Sequence, residues 1–212
     1  GADTVRLFVI FAAPIENSLE WSDHGVEGSY KFLNKLWSIG YKIEKMSKIN
    51  TNIDLEQEKK LKITVNKSIA KITDDYGTRI SLNTIVSSCM EMLNSITKSI
   101  NSNNVSYKVI FESYKTLVLL LNPITPHICY ELGEILNISE LNEDISWPKV
   151  NKNFIKEDQI LIVVQINGKV RKKIEVKADI SQESLEKYVI ELDDIKKNID
   201  EKDIKKIIYI KE

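Results

Sequence analysis

Two cysteines, four prolines, seven glycines and two histidines are few for a chain of 212 residues. Cys89 and Cys129 each fall inside an apolar helical pattern, and neither has a metal-like spacing to His24 or His127, so they read as buried free thiols of a reducing compartment. The scarce glycines form no loop after a strand that could cradle a phosphate, which removes both nucleotide fingerprints. No Gly-x-Ser-x-Gly elbow is present, and "CME" and "HICYE" do not space metal ligands. His24 lies beside Asp23 without a nucleophile at motif distance, and His127 stands at a helix start, where a structural role is expected. No run approaches 18 apolar residues, so no membrane-spanning helix is expected. The N-terminus shows no charged region ahead of an apolar one, so no signal peptide is expected. Arginine is limited to Arg6, Arg79 and Arg171, and the formal net charge is -1, so the global balance demands neither nucleic acid nor an anionic membrane.

What is present is an apolar fraction of 42% and a charged fraction of 29%, enough for a real core. The first two-thirds read as helices. "DTVRLFVIFAA" runs apolar to Pro14, which should end it. A long helix is expected over about Gly25 to Met46, with Tyr30, Leu33, Trp37 and Ile43 on one face. Leu61, Val65, Ile69, Ile72 and Tyr76 recur at steps of three and four, and Gly77 should close that helix. Ser81 can cap the next, whose stripe is Ile85, Cys89, Met92, Ile96 and Ile100. Tyr107, Ile110, Tyr114, Leu117 and Leu121 make a fourth stripe. Thr125-Pro126 starts a short helix carrying Ile128, Leu132 and Ile135. Helices apolar on one stripe must bury it against one another, which predicts an antiparallel bundle.

The texture changes near Trp147-Pro148. "ILIVVQINGKVRKKIEV" is two β-rich runs joined by Asn167-Gly168, a strong hairpin signal. "SQESLEKYVIEL" reads as a short helix capped by Ser181, and "DIKKIIYI" (Asp203 to Ile210) as a final strand. The fold class is therefore mainly α: a helical bundle over 1–148, followed by a small α+β domain with a β-hairpin over 149–212. A two-residue turn would pair 166 with 169, 164 with 171 and 162 with 173. The first strand is apolar on both faces, as in a central strand. The second would place Val170, Ile174 and Val176 on one face, interrupted by Lys172, and Lys169, Arg171 and Lys173 on the other. Strand residues two apart are about 7 Å apart, a spacing suited to successive phosphates. Lysines blunting an edge strand are the alternative. Residues 1–148 hold 15 basic and 18 acidic side chains; residues 149–212 hold 15 and 13. Any polyanion contact must be local. Lys31, Lys35 and Lys42 step along one face of the long helix, a candidate row whose alternative is a solvated face. Trp21 and Trp37 could stack on bases or pack locally.

These stretches resemble a known family. "GADTVRLFVIFAAPIENSLEWSDHGVEGSYKFLNKLW" resembles the segment that follows the catalytic core in bacterial-type leucyl-tRNA synthetases. "NPITPHICYELGEIL" resembles a helix pair of class I synthetase anticodon-binding domains. "WPKVN" with "ILIVVQINGKVRKKIEV" is similar to the C-terminal domain of the leucyl members. The resemblance implies a tRNA-docking, C-terminal portion, with residues 1–21 as the connector from a catalytic core. In the parent enzyme, leucine would be ligated to its tRNA with ATP and Mg in the missing catalytic part; the fragment itself would need no cofactor and catalyse nothing. Implied partners are leucine tRNA and the missing catalytic and editing domains, in a cytoplasmic monomer without membrane contact. The resemblance also sorts "KMSK" (Lys45 to Lys48), nearly the family's ATP-gripping lysine loop. That loop precedes "GADTVRLF" in the family, so here the letters are a coincidence. Family members usually continue past the final strand with another short apolar segment, so the resemblance implies that this last strand lacks a neighbour in the chain that stops at Glu212. Expected tRNA contacts are Asn167, Lys169, Arg171, Lys172 and Lys173, with Arg6, Lys31 and Lys35 secondary. A helical protein-interaction module without an RNA role is the rival reading.

Overall fold

The computed structural model describes residues 1–13, 17–47, 52–141, 146–155, 159–177, 180–199 and 206–209. Two compact units divide between Ile155 and Lys156. The first contains α1 (Ala2–Ala12), α2 (Asp23–Glu44), α3 (Leu55–Asp74), α4 (Leu82–Ser102), α5 (Tyr107–Leu121) and α6 (Pro126–Leu136). The second contains β1 (Gln159–Ile166), β2 (Lys169–Lys177), α7 (Gln182–Glu191) and α8 (Asp193–Ile199).

Local chemistry sets the helix ends. Ser22 caps α2 by accepting from the Gly25 amide at 3.2 Å, and Asp54 caps α3 through the Glu56 and Gln57 amides. Asn103 and Asn137 end α4 and α6 in the left-handed conformation that asparagine tolerates. α1 ends at Ala12; Pro14, expected to stop it, lies outside the described residues. Gly77 does not close α3. The chain instead widens into a π turn over Asp75–Arg79, and Ile80 takes φ 49°, a strained conformation for a β-branched residue. Ser81 precedes α4 without a side-chain capping bond; Thr84 donates to buried Asp75 at 2.6 Å.

The expected stripes of α3, α4 and α5 form the core: Leu61, Val65, Ile69 and Ile72, then Ile85, Cys89, Met92, Ile96 and Ile100, then Ile110, Tyr114, Leu117 and Leu121 are buried, while Tyr76 and Tyr107, also expected in the stripes, are half-buried against them. On α2 the expected face is corrected. Its buried residues are Ser29, Phe32, Leu33, Leu36, Ile39, Gly40 and Ile43, whereas Tyr30 and Trp37 face outward. The reason is close packing. A Cβ at Gly40 would come within 2.6 Å of Leu132 and 2.8 Å of the Tyr114 hydroxyl, which donates to the Leu36 carbonyl at 2.6 Å. That approach fixes the rotation of α2 and turns its aromatics out. Burial holds both thiols protonated, pushing Cys129 up to about 12 and Cys89 further.

The expected boundary at 148/149 differs from the observed division because Trp147 to Phe154 pack on the bundle. The Trp147 indole donates to Thr73 at 2.8 Å and meets Tyr76 edge-on, and the Asn151 amide donates to Asn66 at 2.7 Å. Lys149 and Lys152 therefore belong to the first unit, and the second holds 13 basic and 13 acidic residues.

The second unit builds a small core from Ile174, Val176 and Leu185, with Ile162, Val164, Val189 and Leu192 against it. Ser181 caps α7 as expected, while α8 was not foreseen. Among the described residues β1 pairs only with β2, so the central position expected for it is not seen there. Lys206–Tyr209 carry no strand; the rest of the expected final strand lies outside the described residues.

Candidate nucleic-acid interface

Asn167 and Gly168 have φ of 51° and 76°, the left-handed pair that a mirror-image type I turn needs, and such a turn matches the twist of both strands. The first pair is as expected, Ile166 with Lys169. So is the second, Gln165 with Val170. Beyond it the expected register fails: Val164 pairs with Lys172, leaving Arg171 as the extra residue of a bulge. Each later pair is displaced by one: Val163 faces Lys173 and Ile162 faces Ile174.

The slip has a physical cause. Without it, Ile162 would lie opposite Lys173 and Val164 opposite Arg171. With it, Ile162, Val164, Ile174 and Val176 form one apolar face over Leu185 and Val189. Lys172 then falls on that covered face, and its ammonium reaches Asp194 at 2.5 Å. The Asp194 hydrogen bond raises the Lys172 pKa. Lys173 lies on the opposite face, beside Val163. Lys169 alternates away from it, and Arg171 projects from the bulge. The three cations expected to share one face are therefore fanned around the end of the hairpin. All three are exposed, as is Asn167, and no ion pair ties any of the three to another described residue. This is a local cationic tip on an electrically balanced unit, able to meet phosphates from more than one direction.

The secondary candidates sit differently. Arg6 donates to the carbonyls of Ile124 at 2.8 Å and Pro123 at 3.0 Å, satisfying the chain between α5 and α6. Its guanidinium is engaged in structure. Lys31 pairs with Glu27 at 2.7 Å, one turn earlier. Lys35 donates to the Asn94 amide oxygen at 2.6 Å, and Lys42 to that of Asn101 at 3.1 Å. His127 has the expected structural role: it meets Asp3 at 2.8 Å, and the other Asp3 oxygen accepts from the Ile128 amide at 2.7 Å, at the start of α6. Trp21 packs edge-on against Phe8 and donates to Asp23. Lys45 of "KMSK" follows the end of α2, with its ammonium 4.6 Å from the Tyr41 ring; Lys48 lies outside the described residues. Sequence reasoning had not placed Lys45 beside Tyr41; the signal was the four-residue step between them at the end of one helix face.

Among the described residues no group of acidic, histidine or cysteine side chains could hold a metal ion, and no helix is long and apolar enough to cross a membrane.

Comparison with known proteins fits this geometry. Residues 58–189 match the family model described as the anticodon-binding domain of tRNA ligase. The chain is 40% identical over 217 residues to a leucine–tRNA ligase of Colwellia psychrerythraea, covering 99% of this chain and 25% of that protein. It is 41% identical over 214 residues to one of Saccharophagus degradans, covering 99% and 26%. The chain thus spans about a quarter of the length of these relatives. Among solved structures, a crystal structure of the LeuRS-tRNA-LeuAMS ternary complex of Agrobacterium radiobacter K84 agnB2 matches with a TM-score of 0.80. That match has 23% identity and covers 99% of this chain and 27% of that one, a likeness of fold. A helical bundle followed by a cationic hairpin, matched across more than half its length by one family model, belongs to the anticodon-binding domain family of tRNA ligases.

Proposed function

We propose that this chain is the tRNA-docking portion of a leucine–tRNA ligase, and that its hairpin tip supplies backbone contacts to the tRNA. The observation that carries the docking role is the tip itself: Lys169, Arg171 and Lys173 are exposed and not cancelled by any described carboxylate. The leucine assignment rests on the similarity to leucine–tRNA ligases along 99% of the chain. Phosphate contacts position a nucleic acid without reading its bases, which suits a tip made of lysine and arginine. Arg171 can hold a phosphate with two hydrogen bonds, and the bulge thrusts it outward. Lys172, committed to Asp194, contributes to the unit's own packing instead. Amino-acid activation, with its ATP and magnesium, belongs to parts of the ligase outside the quarter matched here, in a cytoplasmic enzyme acting as a monomer.

The experiment is titration of labelled leucine-accepting tRNA and a control tRNA with this chain at several salt concentrations. Binding that weakens steeply with salt supports docking; no binding, or binding indifferent to salt, points to a protein-interaction module. Leucine-dependent pyrophosphate exchange should stay at the blank.

A further inference from the structure

The chain from Trp147 to Ile155 leads from one unit to the other, yet it is built as part of the first. It is held along α3 at several points. At its start the Trp147 indole donates to Thr73 at 2.8 Å, and its ring meets Tyr76 edge-on with centroids 5.3 Å apart. In the middle Val150 packs on the bundle core, and the Asn151 amide donates to the Asn66 side chain at 2.7 Å. The Asn151 side chain then accepts from the Asn153 amide at 3.1 Å and starts a single 3-10 turn over Lys152–Phe154. Phe154 and Ile155 are half-buried.

Asn66 is the residue that α3 alone does not explain. Asparagine is a poor helix former, and this one is buried near the middle of α3. Its side chain bonds in two directions. Nδ2 donates to the Lys62 carbonyl at 2.8 Å, which orients the amide, and the oxygen accepts from Asn151. Asn66 and Thr73 are seven residues apart, so both anchors lie on one face of α3, about 10 Å apart along its axis. The later residue, Asn151, meets the earlier anchor, so the segment runs antiparallel to α3 and is clamped along it.

The clamp sets the length of the join. From Ile155 to Gln159, the first residue of β1, the chain advances four residues and can span at most about 14 Å. Without the anchors, the nearest upstream residue buried in the bundle among the described residues is Leu141, and the join would run eighteen residues. Past its best length, a tether's effective concentration falls roughly as the -3/2 power of length, so the clamp raises it about tenfold. We propose that Trp147 and Asn66 are positioning residues, which clamp residues 147–155 to α3 and so hold the hairpin at high local concentration over an RNA already bound by the rest of the chain. This rests on the tRNA-docking reading and adds to it that the two units bind as one. Trp147, Thr73, Asn66 and Asn151 carry no charge, so the clamp acts on affinity without contributing a phosphate contact.

The test is a salt titration of leucine-accepting tRNA with three chains: wild type, the Trp147→Ala, Asn66→Ala variant, and a chain with about fourteen Gly and Ser residues inserted after Ile155. The insertion lengthens the join while the clamp stays intact. Both altered chains should bind roughly tenfold more weakly, with the wild-type slope of log Kd against log salt, because no cation is lost. Trypsin reports the clamp itself: cleavage after Lys149 and Lys152 should be slow in wild type and in the insertion chain, and fast in the double variant. Trp147→Phe with Asn66 intact keeps the ring against Tyr76 and should bind close to wild type. If the double variant is cut at Lys149 while it and the insertion chain bind as tightly as wild type, the clamp has no positioning role and the hairpin reading stands. A fall in slope together with affinity also overturns the proposal, since phosphate contacts would then have been lost. Should circular dichroism show the double variant unfolded, the insertion chain decides by the same criterion. If wild type shows no salt-dependent binding, the docking reading and the clamp fall together.

Discussion

The two units treat their charges in opposite ways. In the bundle, cations and anions are given fixed partners: Arg6 holds two carbonyls, Lys31 holds Glu27, and Asp3 joins His127 to the start of α6. At the hairpin, Lys169, Arg171 and Lys173 are left in solvent on a unit whose own core is little more than Ile174, Val176 and Leu185. The bundle buries thirty or so apolar side chains among its described residues, and these fixed pairs sit on the surface of that core. The small unit carries a cationic tip that contributes nothing to its core. We propose that fixed charges serve stability and unfixed charges serve binding, and each prediction below tests one side of that division.

The largest effect should come from the centre of the bundle. Tyr114→Ala removes a fully buried ring and its bond to the Leu36 carbonyl, at a cost of about 3–5 kcal/mol. Denaturant unfolding followed by circular dichroism should show that loss, while hairpin amide signals stay in place if the units fold separately. Collapse of both together would break the comparison at its base.

Arg6→Ala comes next. It strips hydrogen bonds from Pro123 and Ile124 and should lower stability by about 1 kcal/mol, the guanidinium being exposed. tRNA affinity should not change. A loss of affinity at unchanged stability would return Arg6 to the list of RNA contacts.

A smaller effect is visible in pH. Burial works against the Glu58 charge, but hydrogen bonds from Ser106 and the Lys62 ammonium outweigh it and hold the carboxyl below its usual range. A depressed folded-state pKa stabilises above the unfolded value, and that stability is lost as pH falls through the folded one. Glu58→Gln should therefore lower Tm at neutral pH, and the gap to wild type should close on acidification. Lys173→Gln should leave Tm unchanged at every pH. A constant gap for Glu58→Gln would mean that packing, not charge, sets its contribution.

How much of this was legible in the sequence follows the same division. The stripes of α3, α4 and α5 were readable because each apolar step answers to a single helical period. The Asn167-Gly168 turn was readable because few residue pairs accept two left-handed conformations. The face of α2 was misread because Tyr30 and Trp37 are apolar by composition, and only the approach of Leu132 and Tyr114 to Gly40 decides which side goes in. The hairpin register was misread because a bulge is a tertiary compromise. The pattern Val170, Lys172, Ile174, Val176 hides it, since the slip is forced by the need to put Ile162 and Val164 over Leu185. The candidate residues were thus readable by type, while their directions were not. Neither the Lys172–Asp194 pair nor the Arg6 carbonyl bonds leave a local pattern, because their partners lie 22 and about 118 residues away.

The most direct measurement is the salt dependence of leucine tRNA binding by the Lys169→Ala, Arg171→Ala, Lys173→Ala variant, with Lys172→Ala as the control. Each lost phosphate contact should lower the slope of log Kd against log salt by about 0.7–0.9, so the triple variant should lose about 2–3. Lys172→Ala, removing a cation already held by Asp194, should leave the slope close to wild type. A triple variant that binds with wild-type affinity and slope would contradict the account and leave the hairpin as an edge blunted with lysines.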